Sequence, residues 1–454
     1  MATENRKHSA GSFSNRHVDR GNPETKPAKR LSQSIIMSDN MYSVTSKIAT
    51  LDLFRPSSSF VSFPLKLLGL GTAPPCPAMS RFPAADSLLT HAVEENVFPG
   101  AAYGVLQGGQ RLALESVGGF TYQPDSPRIH PDTIFDMASV SKAMATTVMA
   151  MLLSERGQLD LDEPVGVRLP EFLRSSADTA DPDPAKREIT ARMLLAHCSG
   201  LPAYAPLYER CHTASALFDA CLRMPLESPP GTRAVYSDIG FIVLGHLLET
   251  LAGERLDSYC RREVFVPLGM DSTVYCPPVE LKPSIPPTST GDSLRPRVLQ
   301  GEVHDNNCWV LGGVSGHAGV FSNVADTLSL AGCFLRGGGT LFRAETVSLF
   351  TTRQRTPPQT DWALGWDTPS AVSSSGQFFS AHSIGHLGYT GTSLWIDFEK
   401  DLAVVLLTNR TYPTGATDRA SKQIQRVRPR FHDELMRELG WNVPRRIPPR
   451  MRHE

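Results

Sequence analysis

Thr392-Ser393-Leu394-Trp395-Ile396-Asp397-Phe398 and Leu402-Ala403-Val404-Val405-Leu406-Leu407-Thr408 lie almost end to end, joined across Glu399-Lys400. Short runs this rich in Val, Ile, Leu and Trp, split by a charged turn, read as two neighbouring strands. A second pair stands near the other end of the chain. It runs from Ala101 to Leu106 and from Leu112 to Val117, with Gly108-Gly109 between them as a hairpin turn. Between the pairs, Met144, Val148, Met149, Met151 and Leu152 recur at helical spacing within Ser141 to Glu155, and Gly157 stops that helix. The middle, to about residue 340, reads as mainly helical, with Pro-rich connections around 177–186 and 277–296. The expected class is α/β of the α+β kind: one sheet built from both chain ends, flanked by helices, with a mainly helical subdomain inserted.

The length of 454 residues suits one large domain or two ordinary ones. An apolar fraction of 41% and a charged fraction of 20% are those of a soluble globular protein. A net charge of −1 gives no field that favours nucleic acid or an anionic membrane. Eight scattered cysteines with no C-x-x-C pair read as thiols. No apolar run reaches membrane-helix length; Phe60 to Leu70 is short and broken by Pro64 and Lys66. Residues 1–78 are rich in Ser, Asn, Lys, Arg and Pro and read as disordered, as a mis-assigned N-terminal extension, or as a cleaved targeting segment. The folded domain is expected over 79–440, opening on a helix with Leu88, Leu89, Ala92 and Val93. A solvated basic, Pro-rich tail is expected over 441–454, with Arg445, Arg446, Arg450 and Arg452. Without a clear signal peptide a cytoplasmic location is favoured, with a periplasmic or secreted one open.

Acyl transfer by a serine needs a nucleophile, a neighbouring base and N–H donors for the developing oxyanion. Phe135-Asp136-Met137-Ala138-Ser139-Val140-Ser141-Lys142 offers the first two. Ser139 and Lys142 stand three apart at the expected helix start, and Lys142 is the one lysine of ten with a serine three residues before it. An N–H at a helix start is free to face a substrate oxygen. Lysine acts as a base only when neutral, so its pKa has to be lowered. Taken alone, the pair is equally well a capping serine beside a surface lysine.

The stretch resembles the S-x-x-K signature of serine β-lactamases and penicillin-binding proteins, closest to the class C and family VIII-type esterase branch. Further segments follow in the same order: Leu159 to Val165, Leu194 to Pro202, Pro230-Gly231-Thr232 with Tyr236 to Phe241, Pro267-Leu268-Gly269-Met270, and Gly316 to Ser322. The resemblance covers about residues 80–435 and implies that family's antiparallel sheet. By it, Tyr236 relays a proton with Lys142, whose cation lowers the pKa of the tyrosine. Asp238 stands where the family has Asn; an ionised carboxylate cannot donate to a substrate carbonyl, which argues against β-lactam recognition. No K-T-G occurs. His386-Leu387-Gly388 leading into Tyr389 is the implied counterpart, with Gly388 letting the backbone approach the substrate and the N–H of Tyr389 as the second oxyanion donor. His386 replaces a permanent cation with one that titrates near neutrality. His197 and His317 read as structural.

The expected function is a serine hydrolase that forms an acyl-enzyme on a small ester, amide or peptide substrate, as carboxylesterase or D-amino-acid peptidase. A β-lactamase or DD-peptidase is the alternative. A catalytically silent β-lactamase-like binding protein is the reading from another class. No cofactor, metal, nucleic acid or membrane span is expected, and the oligomeric state is left open. The chain has neither the G-x-S-x-G elbow of an α/β-hydrolase nor the H-E-x-x-H of a zinc hydrolase.

Overall fold

The computed structural model describes residues 80–174, 183–415 and 418–445. The chain divides into two compact units, Met1–Pro74 and Pro75–Glu454. The first unit lies outside the described residues, and so do the expectations for 1–78 and for 446–454.

Both terminal strand pairs form and share one sheet. Strands β1 (Gly100–Gln107) and β2 (Gln110–Gly118) make the N-terminal hairpin, and Gly108 and Gly109 take φ of 58° and 72° at its turn. Side chains avoid two consecutive left-handed residues, and glycines do not. The small strand β3 (Phe135–Asp136) pairs with β5 (Val320–Ser322), which also pairs with β4 (Val274–Tyr275). This three-stranded sheet in the middle of the chain had no periodic signal, because its strands are too short to show alternation. Strands β6 (Ser383–Leu387), β7 (Ser393–Asp397) and β8 (Leu402–Thr408) close the main sheet, in the antiparallel order β2-β1-β8-β7-β6. Strand β1 lies beside β8, with Tyr103 opposite Leu406, so segments from opposite ends of the chain build one sheet.

The period of two along the strands sorts side chains between two cores. Tyr103, Val105, Val404, Leu406 and Trp395 pack with the Pro83–Glu94 helix and with the Asp418–Glu438 helix. Ala102, Leu394, Ile396, Val405 and Leu407 face the Val324–Leu335 helix and the helical middle. The long C-terminal helix was not anticipated, since its many charges and the internal Pro429 mask its stripe. That stripe is Ile424, Arg428, Phe431 and Leu435, all buried. The tail is not wholly solvated. Arg445 donates to the carbonyls of Gly376 (2.6 Å) and Ser370 (2.8 Å), satisfying acceptors in a loop that has few backbone partners. Among the described residues all seven cysteines are unpaired, and no helix is long and apolar enough to cross a membrane.

Candidate active site

Strand β3 delivers the chain into the turn that carries Ser139. Asp136 is buried, and its carboxylate accepts from the N–H of Ala138 (2.8 Å) and of His304 (2.7 Å). Burial lifts its pKa to about 6 despite those two donors. Ala138 follows with φ of 47°, a strained conformation for a residue with a Cβ. Short bonds then wind the chain, from the N–H of Ser141 to the Ala138 carbonyl and from the N–H of Lys142 to the Ser139 carbonyl. Ser139 therefore precedes the helix rather than opening it. The helix starts at Val140, directly after Ser139, widens into a π turn over Lys142–Thr147 and continues as Val148–Glu155. Ser139 and Lys142 still meet, because side chains three apart eclipse in so tight a turn.

Lys142 is fully buried, and its ammonium has three acceptors: Ser139 Oγ at 2.9 Å, Asp238 Oδ1 at 2.6 Å and the His317 carbonyl at 2.9 Å. Three N–H groups meet three acceptors, so none is left over. Burial alone would lower the lysine's pKa. The charge of Asp238 and the interaction with Tyr236 outweigh it, and the pKa stands above its ordinary value. This corrects the expectation of a lowered lysine: a carboxylate in hydrogen-bond contact stabilises the cation.

Asp238 opens the Asp238–Ala252 helix, which Ser237 caps by accepting from the N–H of Gly240 (2.9 Å). The residue before that cap is Tyr236. Its ring packs against His197 (centroids 4.7 Å apart) and Trp362 (5.6 Å), and its hydroxyl interacts with Lys142 and Ser139. Burial raises the Tyr236 pKa to about 12; Lys142 opposes that shift without reversing it, so the side chain is a phenol. His197 is buried, accepts from the N–H of Ser237 (3.1 Å) through Nδ1, and supports the tyrosine from behind.

The opposite wall comes from β6 and the turn after it. A Cβ on Gly388 would stand 2.5 Å from the Met137 carbonyl oxygen and 2.0 Å from Thr392 Oγ1. Glycine is thus required for the close contact with the nucleophile turn. The hydroxyls of Thr390 and Thr392 donate to the carbonyls of Asp136 (2.8 Å) and Met137 (2.9 Å), strapping the same two segments together. His386 is 2% exposed, and its Nδ1 lies 2.9 Å from the Leu387 carbonyl. A carbonyl only accepts, so Nδ1 carries the proton and Nε2 is a bare acceptor, without a partner among the described residues. Burial, helped by the charge of Lys142, pushes its pKa down to about 3. His386 is a neutral imidazole, not the cation expected to titrate near neutrality, because dehydration in the wall outweighs any stabilising anion. The backbone N–H groups of Ser139 and Tyr389 have no acceptor among the described residues.

The two walls enclose a cavity of about 780 Å³ that Ser139, Tyr236, Asp238, His386, Gly388 and Tyr389 all line. The residues expected from the sequence to act on substrate line this cavity or, like Lys142, bond directly to residues that line it. Other lining residues went unnoticed: Tyr204, Asp305, Trp362, Asp367, Arg410 and Arg428. Asp305 sits 2.9 Å from His317 Nε2, which helps hold its carboxyl well below the usual range despite burial. Burial and the charge of Asp361 raise Asp367 to about 7. Arg410 carried a faint signal, as an arginine just past a wholly apolar strand. The others carried none, since loops bring in Tyr204, Asp305, Trp362 and Asp367 and the unanticipated C-terminal helix brings in Arg428.

A β-lactamase family model matches residues 85–427. N-acetylmuramyl-L-alanine amidase of Bacillus subtilis is 31% identical over 412 residues, 81% of this chain and 90% of its own. An Escherichia coli K12 protein carrying the name of a D-alanyl-D-alanine carboxypeptidase is 33% identical over 308 residues, 62% of this chain and 70% of its own. Among solved structures, EstCE1, a hydrolase with promiscuous acyltransferase activity, superposes with a TM-score of 0.61. It is 22% identical and covers 77% of this chain and 98% of its own. The octameric penicillin-binding protein homologue of Pyrococcus abyssi gives a TM-score of 0.60 at 19% identity, over 79% of this chain and 78% of its own.

Proposed function

The chain belongs to the β-lactamase family, and from that premise we propose that it cleaves carboxylic esters or amides through an acyl group carried on Ser139. It is a serine hydrolase. The observation that carries the assignment of Ser139 is Lys142 Nζ at 2.9 Å from its Oγ, at the base of the cavity.

In this reading the Tyr236–Lys142 pair first gives up one proton to solvent; Ser139 Oγ then bonds to the substrate carbonyl carbon as its own proton passes to the pair. The N–H groups of Ser139 and Tyr389 hold the oxygen as it becomes negative. The proton then goes to the leaving alcohol or amine as its bond to the acyl carbon breaks, and water repeats the sequence to release the acid. Carboxylesterase or D-amino-acid peptidase activity is favoured over β-lactam cleavage, because Asp238 offers a β-lactam side-chain carbonyl lone pairs alone. The names of the relatives add muramyl and D-alanyl peptides to the amides worth testing.

A fluorophosphonate probe tests the proposal, together with turnover of p-nitrophenyl esters, D-aminoacyl amides and a chromogenic cephalosporin. The expected label is on Ser139, and Ser139→Ala loses both label and turnover, by roughly 10⁴-fold or more. Labelling elsewhere, or a tenth of the activity surviving in Ser139→Ala, removes Ser139 as nucleophile. No label and no turnover leaves the silent binding protein as the better reading.

A further inference from the structure

Around Lys142 the cavity presents more acceptors than the protein has donors for. The Lys142 ammonium spends its three N–H groups on Ser139 Oγ, Asp238 Oδ1 and the His317 carbonyl. The buried His317 ring donates from Nε2 to Asp305 Oδ1 (2.9 Å), and its Nδ1 lies 2.8 Å from Ser315 Oγ. Asp305 Oδ1 also accepts from the N–H of Cys308 (2.7 Å), capping the Asn306–Val310 helix. Each carboxylate thus uses one oxygen. Asp238 Oδ2 and Asp305 Oδ2 have no hydrogen-bond partner among the described residues. Both residues line the cavity, with 18% and 26% of their side chains exposed.

The two carboxylates belong to one region. Lys142 joins Asp238 to the His317 carbonyl, and the His317 ring leads on to Asp305. Tyr204 lines the same cavity, and both charges, Asp305 before Asp238, add to burial in raising the pKa of its hydroxyl. A third acceptor stands within the field of Lys142. This is Nε2 of His386, buried in the lining and without a donor among the described residues.

Carboxylate oxygens and a bare imidazole nitrogen only accept. In the free protein solvent meets them; a substrate that displaces the solvent has to bring donors of its own. A neutral N–H or O–H supplies one bond and no charge. A protonated amine supplies three N–H groups, and with Lys142 it sets two cations against two carboxylates. Hydrogen bonds between ionised partners are also roughly twice as strong as neutral ones. Lys142 touches both Asp238 and Ser139 Oγ, so an amine held by Asp238 lies within a few bonds of the carbonyl under attack.

We infer that Asp238 and Asp305 together form a subsite for a protonated amine, so that the preferred substrates are aminoacyl amides or esters whose free amine stands next to the cleaved bond. This rests on the acyl-enzyme reading above, in which Asp238 faces the side chain of the acyl half.

The test compares alanine p-nitroanilide with lactic acid p-nitroanilide, an ammonium against a hydroxyl on the same carbon, each in both hands. It is run near pH 7, below the usual α-amine pKa of about 8. Wild-type enzyme should favour the amine in kcat/KM; equal treatment of the two overturns the subsite. Asp305→Asn keeps an oxygen for Cys308 and His317 and replaces the free one with an amide. It should lower the amine-to-hydroxyl ratio by about 10- to 100-fold, the usual effect of one bond to a charged group. An unchanged ratio makes Asp305 structural and overturns the proposal. Calorimetric titration of alaninamide into Ser139→Ala reads the subsite without turnover. Binding is expected there and should be lost when Asp305→Asn is added; equal affinity in both proteins, or no binding in either, overturns it. If neither anilide is cleaved and Ser139 is not labelled, the acyl-enzyme reading fails by itself while the alaninamide titration still decides the subsite.

Discussion

The wall that carries Lys142 and the wall that carries Arg410 treat a buried cation in opposite ways. Lys142 is enclosed by three acceptors, one of them the Asp238 carboxylate, and its charge is reinforced. Arg410 and Arg428 are nearly as buried but have neutral acceptors alone among the described residues, and their pKa values are lowered. The first wall holds its cation electrostatically closed before substrate arrives, whereas the second is left open, without a counter-ion among the described residues. A closed wall suits proton handling, which needs fixed partners.

Breaking the closed wall gives the largest expected effects after loss of Ser139. Lys142→Ala and Tyr236→Phe should each lower kcat/KM by about 10²–10⁴-fold, the range for loss of general acid–base help. Tyr236→Phe should keep its melting transition, whereas Lys142→Ala should lower it, because Asp238 loses its counter-ion. An unchanged rate in either variant takes that residue out of the mechanism.

Asp238 sharpens the contrast. Its charge holds Lys142 protonated, and Tyr236 is a phenol with a pKa of about 12. The base is therefore fully developed above neutrality, and kcat/KM should rise with pH through the alkaline range. Asp238→Asn removes that charge, lowers the lysine's pKa and should move the rising limb to lower pH. The amide also regains a donor, so the ratio of cephalosporin to ester turnover should rise by about 5- to 150-fold, the equivalent of 1–3 kcal/mol. A limb that stays in place, or a ratio that is level or lower, shows that the charge of Asp238 does not control this wall.

The smallest effect concerns stability. His386 on the open wall, His304 beside Tyr389 and His432 on the C-terminal helix are lowered by burial to about 3, 4 and 4. Depressed values of this kind leave the contribution whole above the ordinary histidine pKa near 6.5. It is lost as pH falls from there towards 4, because the unfolded chain then takes up protons that the fold refuses. Each can cost up to roughly 1.4 kcal/mol per pH unit. The melting temperature should fall steadily between pH 6.5 and 4.5; a flat profile would mean these histidines are hydrated and protonated in place.

The sequence by itself determined the frame: the sheet made from both ends, the hairpin turned by Gly108-Gly109, and the meeting of Ser139 with Lys142. These follow from local rules, a strand period of two, a two-glycine turn and a spacing of three, and the family resemblance added Tyr236, Asp238 and the His386 to Tyr389 segment. Protonation states were decided by tertiary structure alone. Lys142 was expected to be lowered and is raised, and His386 was expected to titrate near neutrality and does not. Both outcomes depend on what surrounds the group, an anion at 2.6 Å in one case and a dry wall in the other. The same reason hid Arg410 and Arg428: at their places in the chain they look like ordinary surface charges. Packing the C-terminal helix against the sheet makes Arg428 a buried cation, and the close of the last strand does the same for Arg410. Burial and counter-ions are sums over neighbours distant in sequence, so no local pattern of residues encodes them.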